Sequence, residues 1–155
     1  MAVSIDARID DGSPLHGPEQ ALKPFTNLIA GRPVLATFLV SLRCNSACGY
    51  CDLPLNAGWC EMTREEIQGV FSHLYRDGVR FVLVQGGEPL LRCDIPEILE
   101  DLSAIGGYFT LITNGTTVTP QLLERLSRLP VAISVSLDTL DREKYRQICG
   151  ADQLE

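Results

Sequence analysis

Positive charge is scarce in this chain: 13 lysines and arginines face 20 aspartates and glutamates, a formal net charge of −7. Proteins that track phosphate backbones draw their affinity from Lys and Arg contacts and the counterions these release. Nucleic acid is therefore not expected as a primary partner. Aromatics make up only 6% of the 155 residues, too few for the stacking platforms that hold single strands. No apolar run approaches the roughly 20 residues that span a bilayer. The longest, residues 34–40, has strand length and contains Thr37. The N-terminus carries Asp6, Asp10 and Asp11, where a secretory leader carries basic residues before an apolar stretch. A cytoplasmic protein with no membrane partner is the expectation.

What the chain does have is six cysteines: Cys44, Cys48, Cys51, Cys60, Cys93 and Cys149. Small secreted scaffolds use such a set as disulfides. Here 45% of residues are hydrophobic, enough for one domain to fold around its own core. Clustered cysteines in such a cytosolic chain more often hold metal. Cys93 and Cys149 stand alone in sequence and read as buried, inert thiols.

Residues 1–18 lack an apolar period and read as a loose arm. A short helix follows at 19–30, weakened by Pro24 and closed by Gly31 and Pro33. Together they form an N-terminal region, 1–33, ahead of a core domain, 34–155. Residues 34–42 fit a buried strand. Thr63 and Glu66 form a capping box before Ile67, Val70, Phe71 and Leu74 at helical spacing, and Gly78 ends that helix. A second strand spans 81–85. Asp94 is the expected cap of the next helix, with Pro96 in its first turn and Ile95, Ile98, Leu99 and Leu102 as its stripe. Gly106 and Gly107 stop it. A third strand covers 108–113. Thr119-Pro120 opens a helix with Leu122, Leu123 and Leu126. A fourth strand covers 131–137, and Asp141 begins a last helix reaching Gly150. Strand and helix alternate four times, so an α/β fold with parallel strands and right-handed crossovers is expected.

Three thiols at Cys44, Cys48 and Cys51 sit just past the first strand. Zinc sites usually show four ligands, and cubane clusters normally take four thiolates. From spacing alone two occupants remain open: an iron–sulfur cluster with one iron left unligated by protein, or zinc with Cys60 as a fourth ligand. Gln85-Gly86-Gly87-Glu88-Pro89 follows strand two. Its glycines permit close backbone approach to a ligand, and Glu88 places a carboxylate there. Thr113-Asn114-Gly115 follows strand three, and Ser134, Ser136 and Asp138 end strand four. Singly these are a strand-to-helix loop, a turn and a capping segment. Jointly they lie at the C-terminal ends of four parallel strands, where α/β folds place their active sites.

The set resembles the radical S-adenosylmethionine (SAM) superfamily, in the branch that includes the molybdenum-cofactor cyclase and SPASM-type peptide maturases. Cys44, Cys48 and Cys51 match its Cys-x3-Cys-x2-Cys hallmark, Tyr50 its aromatic before the third cysteine, and Gly86, Gly87 and Glu88 its Gly-Gly-Glu motif. The resemblance implies a partial TIM-barrel core, a parallel (βα) repeat ending here after about four units. It implies a 4Fe–4S cluster on the three cysteines. It implies SAM contacts among Tyr50, Gly86, Gly87, Glu88, Pro89, Thr113, Asn114, Ser136 and Asp138, with Ser136 near the ribose. It further implies reductive SAM cleavage to a 5′-deoxyadenosyl radical that abstracts hydrogen from an unknown substrate, and a flavodoxin- or ferredoxin-like electron donor. Strand four would form an open edge suited to self-association. The alternatives are a non-enzymatic zinc module and an inactive relative that retains the motifs.

Overall fold

The computed structural model describes residues 17–154. The expected arm thus falls outside the described residues up to residue 16, and Pro18 already opens a helix. The elements run α1 (Pro18–Ile29), β1 (Leu35–Ser41), α2 (Arg64–Arg76), β2 (Phe81–Gly86), α3 (Ile95–Ile105), β3 (Tyr108–Thr113), α4 (Pro120–Leu126), β4 (Val131–Val135) and α5 (Arg142–Cys149). The four strands form one parallel sheet in the order β1-β2-β3-β4, as the alternation requires.

Side-chain parity decides which face is covered. Ala36, Phe38 and Val40 of β1, Val82 and Val84 of β2, Phe109 and Leu111 of β3 and Val131 of β4 pack with the apolar stripes of α2, α3 and α4. Val84, Leu99, Leu102 and Leu111 are fully sealed from solvent, each stabilising the fold by about 1.5–3 kcal/mol. Phe71 of α2 meets Phe38 edge-on at 5.1 Å between centroids and Phe109 at 6.3 Å. On the opposite face Leu35, Leu39, Phe81 and Tyr108 remain exposed, and α1 borders its N-terminal end around a cavity of about 560 Å³.

Local chemistry sets the helix ends. Thr63 and Glu66 make both bonds of the capping box, and Thr119 and Asp141 cap α4 and α5. Asp94 occupies the N-cap position of α3 but makes no side-chain cap, contrary to expectation. Its carboxylate instead accepts from Arg92 Nε and Nη2 at 2.9 and 2.7 Å, a bidentate pair of charged groups. Pro24 does not shorten α1. The carbonyl it leaves without a helical donor, that of Gln20, receives Arg80 Nη2 at 2.5 Å, so the helix continues to Ile29. Strand β4 stops at Val135, two residues earlier than its apolar run suggests.

Candidate metal and cofactor site

The exits of β1 and β2 run side by side beyond the sheet. A bulge between Leu39 and Ser41 breaks the register and re-aims β1 just before the cysteine loop. Gly87 N–H then donates to Ser41 O at 2.9 Å, and Glu88 N–H to Arg43 O at 2.7 Å. A Cβ on Gly86 would collide with Ser41 O, and one on Gly87 with Arg43 O. Gly86 also sits at φ 150°. Both glycines are therefore needed by the approach of the two loops, whatever ligand they also admit.

Glu88 is fully buried. One carboxylate oxygen accepts from Leu90 N–H at 2.9 Å and Thr113 Oγ1 at 2.7 Å, and the other from Asn114 N–H at 2.7 Å. Three donors make a buried carboxylate tolerable, and they fasten the exit of β2 to that of β3. Asn114 extends the chain of bonds: its Nδ2 donates to Asn45 Oδ1 at 2.8 Å, and Asn45 Nδ2 donates to Thr116 Oγ1 at 2.8 Å. Asn45 lies between Cys44 and Cys48, so the cysteine loop is gripped from the β3 side.

The C-terminal segment grips it from the other. Ala47 and Gly49 N–H donate to the carbonyls of Cys149 and Ile148 at 2.9 and 3.0 Å. Ser46 Oγ bonds Gln153 Oε1 at 2.8 Å, and Gln153 Nε2 donates to Asn45 O at 2.9 Å. Gly150 takes a left-handed φ of 65° to end α5, where a Cβ would strike Ala47 O. Behind the loop, Glu61 accepts from Ser41 Oγ at 2.5 Å and from Arg43 Nε at 2.9 Å. The Arg43 bond holds its carboxyl below the usual carboxylate range. Buried Arg92 donates to Val40 O and Met62 O, both at 3.0 Å.

The sequence-derived site residues mostly converge. Cys44 lies near Glu88 and Cys48, and burial, the largest influence, raises its thiol pKa. Tyr50 Oη donates to Asp138 Oδ2 at 3.1 Å. Ser136 N–H donates to Thr113 O at 2.8 Å, while its side chain is exposed. Pro89 is buried at the start of a short 3-10 turn, Pro89–Leu91. One cysteine expectation needs correction. Cys93 is exposed, not buried. Cys149 is buried but not isolated: its Sγ lies 3.7 Å from Asp138 Oδ2 and reaches Cys48, and burial first pushes its thiol up to about 11. Sequence reasoning missed Asn45, Ser46, Glu61, Arg92 and Gln153. Polar residues inside the cysteine spacing pointed to the first two; nothing local marks the others, whose bonds to Ser41, Met62 and Asn45 span 20 to 108 residues.

Among the described residues no three His, Cys, Asp or Glu side chains converge as one metal ion requires. Cys60 is exposed and joins no such group. An iron–sulfur cluster uses each thiolate on a different iron, so its ligands need not meet at a point. A half-buried thiol triad on a loop pinned at both ends fits that demand.

The profile of the radical SAM superfamily matches residues 38–155. A probable GTP 3′,8-cyclase of Pyrococcus horikoshii is 40% identical over 129 residues, 81% of this chain and 41% of that protein. The GTP 3′,8-cyclase of Peptoclostridium acidaminophilum is 34% identical over 75% of this chain and 38% of its own length. The chain thus spans about two-fifths of the length of these relatives. Streptococcus suis SuiB bound to S-adenosylmethionine shares the fold at a TM-score of 0.68 and 21% identity, covering 91% of this chain and 34% of that one. SuiB bound to its precursor peptide SuiA gives 0.72, also at 21% identity, covering 90% and 34%. The chain belongs to the radical SAM superfamily, an enzyme family that works with a 4Fe–4S cluster and SAM.

Proposed function

We propose that this chain is the cofactor-binding portion of a radical SAM enzyme, with Cys44, Cys48 and Cys51 holding a 4Fe–4S cluster and SAM seated along the C-terminal strand ends. The observation that carries this reading is the linkage through Glu88, which joins the Gly-Gly-Glu loop to Thr113 and Asn114, and through Asn114 to the cysteine loop. Three strand exits thereby become one rim. Catalysis by positioning needs such a fixed frame.

Each side chain has a role in that frame. The backbone at Gly86 and Gly87 receives the methionine end of SAM. Glu88 braces the rim from below, and Pro89 stiffens its exit. Thr113 and Asn114 hold the β3 side. Tyr50, bonded to Asp138, closes the side nearest Cys48. Ser136, exposed beyond β4, reaches the ribose. When bound and reduced, the cluster with SAM supplies a 5′-deoxyadenosyl radical that abstracts hydrogen from a substrate. A flavodoxin- or ferredoxin-like protein delivers the electron. The relatives' names make GTP the first substrate to test. The open edge of β4 supports self-association of the isolated chain.

Anaerobic reconstitution with iron and sulfide tests the metal assignment. One oxygen-sensitive cluster per chain is expected, lost in Cys44→Ala, Cys48→Ala and Cys51→Ala and retained in Cys93→Ala. Stoichiometric zinc in place of iron would refute it in favour of a zinc module. Absence of 5′-deoxyadenosine from a cluster- and SAM-loaded full-length protein reduced with dithionite would favour an inactive relative.

A further inference from the structure

Cys149 has no place in the proposed cofactor site, yet the fold spends effort on holding it there. It ends α5, is buried, and its thiol lies within reach of Cys48 and 3.7 Å from Asp138 Oδ2. The backbones are fixed as well as the side chains. The N–H groups on either side of Cys48, those of Ala47 and Gly49, bond to the carbonyls of Cys149 and Ile148. These bonds lie beside both cysteines and set their backbones side by side, as a disulfide, which bridges Cα atoms roughly 4.4–6.8 Å apart, requires. Cys48 is partly exposed, so a small molecule can meet it, whereas Cys149 is buried.

We propose that Cys48 and Cys149 form a reversible disulfide in the cluster-free protein, a redox latch on cluster loading. This rests on the reading that Cys48 is a cluster ligand, because the sulfur that binds iron cannot also bind Cys149. The oxidant is a low-molecular-weight disulfide such as oxidised glutathione. Cys48 gives its proton to solvent and attacks one sulfur of that disulfide, forming a mixed disulfide and expelling one thiolate. Cys149 then attacks Cys48 Sγ, expelling the second thiolate, which takes up the Cys149 proton. Two protein thiols are oxidised and one small disulfide is reduced to two thiols. A dithiol reductant reverses the exchange. The latch takes one thiol out of the triad, so the oxidised chain should accept neither an iron–sulfur cluster nor a stray metal ion.

The test uses the chain freed of metal by a chelator under reductant, then treated with oxidised glutathione. Proteolysis and mass spectrometry should find a Cys48–Cys149 link, with no retained glutathione. Cys149→Ser should instead keep glutathione on Cys48, and Cys93→Ser should behave as the parent does. Iron uptake by the oxidised parent should fall to the level of Cys48→Ala and return after dithiothreitol. A disulfide confined to Cys44, Cys48 and Cys51, or a stable glutathione adduct on the parent chain, would overturn the latch. A separate arm checks the reading beneath it: cluster-loaded protein should resist the exchange. Formation of the link with the cluster intact would uphold the pair but remove Cys48 from the ligand set.

Discussion

The carboxylate of Glu88 accepts the backbone N–H of Asn114 at 2.7 Å across 26 residues of sequence. Its other oxygen is already taken by Leu90 N–H and Thr113 Oγ1, so both oxygens face backbone donors. In Glu88→Gln, whichever way the amide is turned, its NH2 faces a backbone N–H that loses its acceptor. Leaving a buried donor unmet costs about 1–3 kcal/mol. The expected outcome is a fall in stability of about 2 kcal/mol on chemical unfolding, together with weaker SAM binding by the reconstituted protein. A variant as stable as the parent would show that Glu88 does not brace the rim.

Gly87 faces the carbonyl of Arg43, the residue before Cys44. The sequence alone suggests that a side chain at Gly87 would block SAM and spare the cluster. The packing adds another consequence: a Cβ there pushes on the cysteine loop itself. Gly87→Ala should therefore lower cluster incorporation as well as SAM affinity. Gly49→Ala, where a Cβ meets nothing within 4 Å and φ is not positive, should leave incorporation unchanged. Iron and sulfide analysis of the two variants side by side decides the matter.

Asp152 is held down to about 2 by Arg142 and then Arg146, and it neighbours Gln153, which grips Asn45 and Ser46. A depressed carboxyl pKa contributes stability above its unfolded value, near 3.9, and loses it as pH falls toward the folded value. Between about pH 4 and 2 this contribution should drain away. The ion pairs are partly solvent-exposed, so added salt should mimic part of the loss. Thermal unfolding of the parent and Asp152→Asn should converge as pH drops through this window. A constant gap between them would contradict the role given to Asp152.

Strand β4 leaves Ile133 and Val135 exposed at the sheet edge. An apolar strand edge is a template for another chain, and lysine placed on it is a natural deterrent. The isolated chain should elute larger than a monomer at rising concentration on size exclusion, and Ile133→Lys should return it to the monomer. A parent that stays monomeric throughout would show that the edge does not recruit a second copy.

Much of this architecture is legible in the sequence. Period-two and period-3.6 patterns located the strands and helices because burial on one face is a local demand. The capping box at Thr63 and Glu66 is visible for the same reason. The failures are non-local. Pro24 is harmless because Arg80, 60 residues away, takes up the Gln20 carbonyl. Asp94 is drawn from its cap by Arg92. At the site, spacing revealed the thiol triad and the Gly-Gly-Glu loop, but the ties that fix them run through Asn45, Ser46 and Gln153, which carry no motif of their own. The nearness of Cys149 to Cys48, 101 residues earlier, leaves no local mark either.

In the proposed site the Cys44–Cys48–Cys51 triad would leave one iron open to SAM at this rim. Electron paramagnetic resonance of the anaerobically reconstituted, dithionite-reduced chain tests it most directly. Expected is the signal of a single reduced 4Fe–4S cluster whose g-values shift when SAM is added, because SAM becomes a ligand of that iron. Cys60→Ala should give the same spectrum and the same shift. A spectrum that ignores SAM, or a cluster that survives Cys48→Ala and vanishes with Cys60→Ala, would contradict the assignment.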